Sequence, residues 1–220
     1  MTMKRKAVIS TLLAACVLGT LPRAAHAAAV HYRPLMKEAR AGNAQAAKQL
    51  MLAARAGHIA AQFYAGVLYN YGWGVPQNYA KADAWYEKAA AQGVADAEYN
   101  LGNDYLRGQG VPRNYVDADY WRRNAAAQGS AAAENNLGLA YSNGQGVPQN
   151  YAEADAWYRK AAAQGYADAE NNLGVAYYLG HGVPQNSVEA IAWLRKAAVQ
   201  GYPRARRNLE IIETGHAGSG

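Results

Sequence analysis

The chain has 220 residues, 51% of them hydrophobic and 17% charged, which excludes an intrinsically disordered polymer and supplies enough apolar side chains for a folded unit. The formal net charge is +6, but Lys4, Arg5, Lys6 and Arg23 place four of the 22 basic residues in a leading stretch without Asp or Glu, so the chain from residue 28 onward carries +2. That small excess gives no ground for a nucleic-acid partner, and Cys16, the single cysteine, cannot build a disulfide framework or a thiolate metal site.

Residues 1–27 read as a signal peptide. Lys4, Arg5 and Lys6 form a positive start, Ala7 to Leu21 an apolar run, and Ala25-His26-Ala27 a small-residue cleavage site. The mature chain then begins at Ala28, in the periplasm or outside the cell. The apolar run is shorter than the roughly 20 residues that a spanning helix needs, and no comparable run occurs later, so no transmembrane segment is expected in the mature chain. A second reading uses the same residues: Leu13-Ala14-Ala15-Cys16 resembles a bacterial lipobox, in which Cys16 is lipidated and anchors a lipoprotein to a membrane. Both readings export the product.

Residues 28–57 read as an N-terminal capping segment, helical by pattern over 44–56 but without the tryptophan and the Gly-Val-Pro turn that recur after it. From residue 58 to 212 one period governs the chain. Gly74-Val75-Pro76 recurs as Gly110-Val111-Pro112, Gly146-Val147-Pro148 and Gly182-Val183-Pro184, at an offset of 36 residues. Trp85, Trp121, Trp157 and Trp193 keep the same offset, as do Gly66, Gly102, Gly138 and Gly174, and the Gln-Gly pairs beginning at Gln92, Gln128, Gln164 and Gln200.

Within one period, Asn150 to Glu153 has the form of a capping box, and Ala154, Trp157, Tyr158, Ala161 and Ala162 form one apolar helical face. Gly165 closes that helix. A second helix is predicted from about Ala167 to Leu179 with Leu173, Ala176 and Tyr177 inward, stopped by Gly180-His181-Gly182 and Pro184. Two helices per 36 residues, each hairpin burying its apolar face against its neighbours, predict an all-α, right-handed superhelical α-solenoid of antiparallel helix pairs. Glycine at 102, 138 and 174 in mid-helix costs about 1 kcal/mol against alanine, so its recurrence predicts a helix approach that a methyl group would block. Residues 213–220 read as a frayed tail.

The pattern A-x-A-x-x-N-L-G-x-x-Y-x-x-G-x-G-V-P-x-N-x-x-x-A-x-x-W-Y-x-K-A-A-x-Q-G, matched closely from Ala133 to Gly165, resembles the Sel-1-like repeat family, relatives of tetratricopeptide repeats. The resemblance covers roughly Gly57 to Leu209. It departs where Tyr120-Trp121-Arg122 and Trp193-Leu194 lack the aromatic after the tryptophan. It implies an adaptor or regulatory scaffold that holds a peptide or protein partner in a concave groove. Some family members have been discussed as β-lactamase-like hydrolases, but their paired cysteines have no counterpart here.

No catalytic, cofactor or metal site is expected. The G-x-G segments come after helices and precede proline, unlike a dinucleotide loop. His26, His31, His58, His181 and His216 show no ligand spacing, and no serine lies in a nucleophile motif. The four repeat tryptophans are expected in the core; a sugar-binding ladder is the competing reading. Asn100, Asn136, Asn172 and Asn208 recur before the packing leucine, either as inter-repeat hydrogen bonds or, by resemblance to tetratricopeptide inner helices, as clamps on a peptide. The neighbouring column Tyr99, Asn135, Asn171 and Arg207 varies as a ligand-facing surface does. Trp73 stands where other copies carry Gln109, Gln145 and His181, so it is a candidate contact residue or an indole folded back onto the first helix. Asp83, Glu87, Asp96, Glu98 and Asp104 lie early, whereas Arg195, Lys196, Arg204, Arg206 and Arg207 crowd the end; a solvated face or docking of an anionic envelope surface explains such runs. Peptidoglycan or envelope carbohydrate is the alternative ligand.

Overall fold

A computed structural model describes residues 23–217, and among them every regular element is an α-helix. The charged start and apolar run of the expected leader, with Cys16, lie outside the described residues, as do residues 218–220. The helices are α1 (Arg23–Arg40), α2 (Ala44–Arg55), α3 (Ile59–Tyr71), α4 (Tyr79–Ala90), α5 (Ala95–Arg107), α6 (Tyr115–Ala127), α7 (Ala131–Asn143), α8 (Tyr151–Ala163), α9 (Ala167–Leu179), α10 (Ser187–Val199) and α11 (Pro203–Ala217). They group into two compact units, Met1–Asn124 and Ala125–Gly220, with the division inside α6. In the first unit α1, α2 and α3 pack together, α3 on α4, and α4 on α5; in the second α7 packs on α8, α8 on α9, α9 on α10, and α10 on α11. Consecutive helix pairs bury their faces against their neighbours, which is the α-solenoid arrangement.

Local chemistry sets the ends of the pairs. Asn150 Oδ1 accepts from the Ala152 and Glu153 amides at 3.1 Å, and Asn186 does the same for Val188 and Glu189, meeting donors that the first helical turn leaves open. The second helix of each pair ends at a left-handed glycine, Gly144 with φ 67° and Gly180 with φ 72° among them. Across the turn, the amides of Asn78, Asn114, Asn150 and Asn186 donate to the carbonyls of Tyr69, Tyr105, Tyr141 and Tyr177, each at 2.9 Å. The 36-residue period is therefore written in the backbone bonding as well as the side chains.

The mid-helix glycines mark the tight contacts. A Cβ on Gly138 would lie 2.5 Å from the Tyr158 ring and one on Gly174 2.5 Å from Leu194 Cγ, while in the first unit Gly66 faces Tyr86 and Gly102 faces Arg122. The residue after each repeat tryptophan fills this gap. Tyr86 is 1% exposed, Arg122 4% and Leu194 not at all, whereas Trp85, Trp121, Trp157 and Trp193 are only half-buried. The tryptophans expected in the core sit at its edge: Trp85, Trp121 and Trp193 pack against buried clusters without being fully buried themselves. Successive residues on a helix point about 100° apart, so only one of the two can face the glycine, and the tryptophan takes the flank. Leu101, Leu137 and Leu173 are fully buried, each burial stabilising by about 1.5–3 kcal/mol.

At the carboxyl end α11 runs to Ala217, into the segment 213–220 expected as a tail. Ile212 is buried, Thr214 Oγ1 donates to the Glu210 carbonyl at 2.7 Å, and Arg195 meets Glu213 at 3.4 Å, which together hold α11 in place within its last turns before Ala217.

Candidate functional site

The first unit holds a cavity of about 340 Å³ lined by side chains of α3, α4 and α5 and their connections. Tyr99 and Asn100, two of the candidate contact residues, both line it, with Tyr71, Tyr86, Asp104 and Arg107. Tyr71 is exposed and stacks on Trp73, centroids 4.8 Å apart, while the Arg40 guanidinium covers the indole at 5.2 Å. Trp73 packs against the α1–α3 core cluster. The indole is thus folded back, and Tyr71 is the ring left facing outward.

Behind this cavity lies an acid pair, Asp83 and Asp104, that no local sequence pattern joins. Asp83 is 3% exposed and Asp104 6%, and neither carboxyl oxygen of Asp83 meets a donor among the described residues. Burial raises the Asp83 pKa to about 8, with hydrogen bonding to Asp104 and the charges of Asp104 and Glu87 adding to it. Burial raises Asp104 as well, against bonding from Asp83 and the opposing charge of Arg107. Two carboxylates cannot bond to one another; with the proton on Asp83, that carboxyl donates to Asp104. Tyr86 Oη is buried beside them without a partner of hydrogen-bonding geometry. Burial, first, and the charge of Asp104 raise its pKa, and the Asn100 amide opposes this weakly.

The expected acidic face is therefore not one surface. Asp83, Glu98 and Asp104 are buried, and Glu87 and Asp96 are exposed. The signal was present in the repeat. Asp104 stands where Leu68, Ala140 and Ala176 stand in other copies, and Glu87 where Arg123, Arg159 and Arg195 stand.

In the second unit the corresponding hollow is about 130 Å³, lined by Tyr151, Asp155, Tyr158, Asn172 and His181. Here the aspartate is answered: Arg159 Nε meets Asp155 Oδ2 at 2.6 Å and its Nη2 donates to Tyr177 Oη at 2.6 Å. His181 stacks on Tyr151 at 4.2 Å.

The asparagine columns resolve into a ladder. Asn172 Nδ2 donates to Asn135 Oδ1 at 2.9 Å and Asn208 Nδ2 to Asn171 Oδ1 at 2.8 Å. Asn135 and Asn171 are 3% and 5% exposed, so these two residues, expected to face a ligand, instead join repeat to repeat. The polarity of an amide at a varying position suggested a surface, but its burial is compensated by the neighbouring column. Asn136 is half-buried, and Arg207 is exposed with Arg204 and Arg206. A second ladder was not anticipated: Gln92 donates to Gln62, Gln164 to Glu134 and Gln200 to Glu170, at 2.6–2.8 Å. The Gln-Gly pairs thus tie helices together besides ending them.

Lys88, Lys160 and Lys196 set their ammonium groups over Trp85, Trp157 and Trp193 at 3.8–4.1 Å, so one ring face that a sugar would stack on is occupied by the chain itself. Among the described residues no group of three or more His, Cys, Asp or Glu comes together to hold a metal, and no helix is long and apolar enough to cross a membrane.

The architecture has solved relatives. A Sel1 repeat protein from Oxalobacter formigenes superposes with a TM-score of 0.74 at 33% identity, over 77% of this chain and 67% of that one. The protein c5321, a protective antigen present in uropathogenic Escherichia coli strains and displaying an SLR fold, gives 0.72 at 33% identity over 84% of this chain; the chain spans 44% of its length. The immunity protein Pa5087 from Pseudomonas aeruginosa shares the fold at 24% identity, with a TM-score of 0.55 over 80% of this chain and 68% of that one. No curated protein matches the chain. The Sel1 repeat family model matches residues 59–94, 95–130, 131–166 and 167–202 in unbroken tandem. Those four matches share the period of the helix pairs, and the chain belongs to the Sel1 repeat family.

Proposed function

We propose that the chain is an exported, non-catalytic interaction module that binds a protein or peptide partner through exposed side chains of its helix pairs. Family membership supports a scaffold role, because Sel1 repeats generally act as protein–protein interaction scaffolds. Export is supported by the leader-like residues 1–27, with cleavage near Ala27 or lipidation at Cys16 as its two forms. The observation that carries the binding reading is the cavity in which Tyr99 and Asn100 stand beside Tyr71. A partner of extended chain finds aromatic faces and amides there, and aromatic anchors carry much of the energy of protein interfaces.

The experiment is affinity capture from an envelope extract with the tagged chain, then binding of each recovered protein in purified form. Recovery of a protein that binds directly, and is lost with Tyr99→Ala, supports the proposal. Direct binding equally well retained by Tyr99→Ala and by Arg207→Ala would remove these residues as contacts, and recovery of no direct binder would sink the reading. Sedimentation with purified peptidoglycan in the absence of protein binding would favour the carbohydrate alternative.

A further inference from the structure

Three of the four first helices carry an aspartate at one repeat position, Asp83, Asp119 and Asp155, where the fourth has Ile191, and two of these aspartates are followed four residues later by an arginine. Arg123 meets Asp119 and Arg159 meets Asp155, each at 2.6 Å. On α4 the aspartate is Asp83, but the residue four positions on is Glu87. Asp83 is also the most deeply buried of the three and has a second acid, Asp104, beside it. The first complete repeat has thus lost a cation and gained a carboxyl at one place. A buried carboxylate without a cation or donors is strongly disfavoured. In the isolated chain a shared proton stands in for the missing charge.

The cavity opens on this same group. Asp104 and Tyr86 line it, Tyr86 is 1% exposed, and Tyr86 Oη has no hydrogen-bond partner among the described residues. Arg107 also lines the cavity, yet it is exposed and makes no ion pair with Asp83 or Asp104 within 4 Å among the described residues. The lining therefore includes two oxygens able to accept, the Asp104 carboxylate and the Tyr86 hydroxyl, with Asn100 and the Tyr99 ring at the wall.

We propose that this cavity receives an arginine side chain of the protein partner, whose guanidinium occupies the role that Arg123 and Arg159 play in their own repeats. The proposal rests on the interaction reading above and names the chemistry that the partner presents. Arginine suits the site because its planar fork can donate to a carboxylate and to a phenolic oxygen together, and its charge persists on burial. Entry of the cation favours the ionised pair, so binding near neutral pH releases the proton that Asp83 holds.

The test uses the purified full chain and N-acetyl-arginine-N-methylamide as probe, with the neutral citrulline analogue as control, read by amide NMR and calorimetry. The arginine probe is expected to saturate, to shift signals around Tyr99, Asn100 and Asp104, and to bind more tightly at pH 9 than at pH 6. Asp104→Asn should weaken it about tenfold, the loss of one charge-assisted hydrogen bond. Glu87→Arg, which restores the arginine of the repeat and keeps the fold, should abolish probe binding. Equal binding of the citrulline analogue, unchanged affinity in a folded Asp104→Asn chain, or full binding by Glu87→Arg would overturn the proposal. So would preferential binding at this cavity of a probe bearing a free carboxylate. If the probe fails while a captured partner still depends on Tyr99, the arginine pocket is wrong and the interaction module stands; if the probe binds but no partner is found, the reverse holds.

Discussion

Asn208 Nδ2 reaches back across one repeat to donate to Asn171 Oδ1 at 2.8 Å, and Asn171 is 5% exposed. The bond joins α11 to α9, the second helix of the preceding pair. Truncation of Asn171 to alanine strands a half-buried amide and should lower stability by about 1–3 kcal/mol. Urea unfolding of Asn171→Ala, Asn208→Ala and the double variant checks this. The double variant should fall well short of the sum of the singles; strict additivity would mean that the two amides do not interact.

Gly138→Ala inverts the usual preference of helices for alanine. On an open helix the change stabilises by about 1 kcal/mol, but here the added methyl would sit 2.5 Å from the Tyr158 ring. The expected outcome is destabilisation by about 1–3 kcal/mol from overpacking, and most of that cost should vanish when Gly138→Ala is made in a Tyr158→Ala background, where the facing ring is gone. A denaturant midpoint that rises for Gly138→Ala alone would show that the helices do not approach as described.

The fold was legible because independent features kept one offset: glycines, prolines, tryptophans and Gln-Gly pairs repeated together, and spacing survives without knowledge of side-chain partners. The site was less so. Apolar periodicity puts Trp157 and Tyr158 on the same broad face, and only the partner helix, through Gly138, selects which ring is buried. Asn171 varies along its column, which reads as surface until the partner amide of Asn208 is located. Asp83 and Asp104 lie in different helices, so no local pattern joins them; a comparison of each copy with the template, in which Glu87 replaces arginine and Asp104 replaces a small or apolar residue, carried the available clue.

Arg159 binds two groups at once, Asp155 on its own helix and Tyr177 on the next. Its side chain is 43% exposed, so solvent screens the ion pair. Arg159→Lys keeps the charge but loses the fork that spans both partners. The expected loss is below about 1 kcal/mol, measurably smaller than that of Asn171→Ala despite the formal charge. Should thermal or urea unfolding rank the two in the opposite order, the ion pair is better shielded than its exposure indicates.

Asp83 predicts how stability changes with pH. Its pKa rises from 3.8 to about 8 in the folded chain, and the charged or titratable groups that interact with it are Glu87 and Tyr86 from α4 and Asp104 and Tyr105 from α5, while Arg107 acts on Asp104. Between those two values the folded state holds a proton that the unfolded chain has released, so the folded state binds more protons and stability falls as pH rises. The fall should level off above about pH 8, where both states are ionised. Glu134, raised by burial, contributes the same sign and persists in any Asp83 variant. In Asp83→Asn the amide donates to Asp104 without taking up a proton, so the slope of the urea midpoint between about pH 4.5 and 8.5 should shrink and the variant should be the more stable chain at the alkaline end. A variant that keeps the full slope would assign the titration to other groups and leave Asp83 ionised in its buried place.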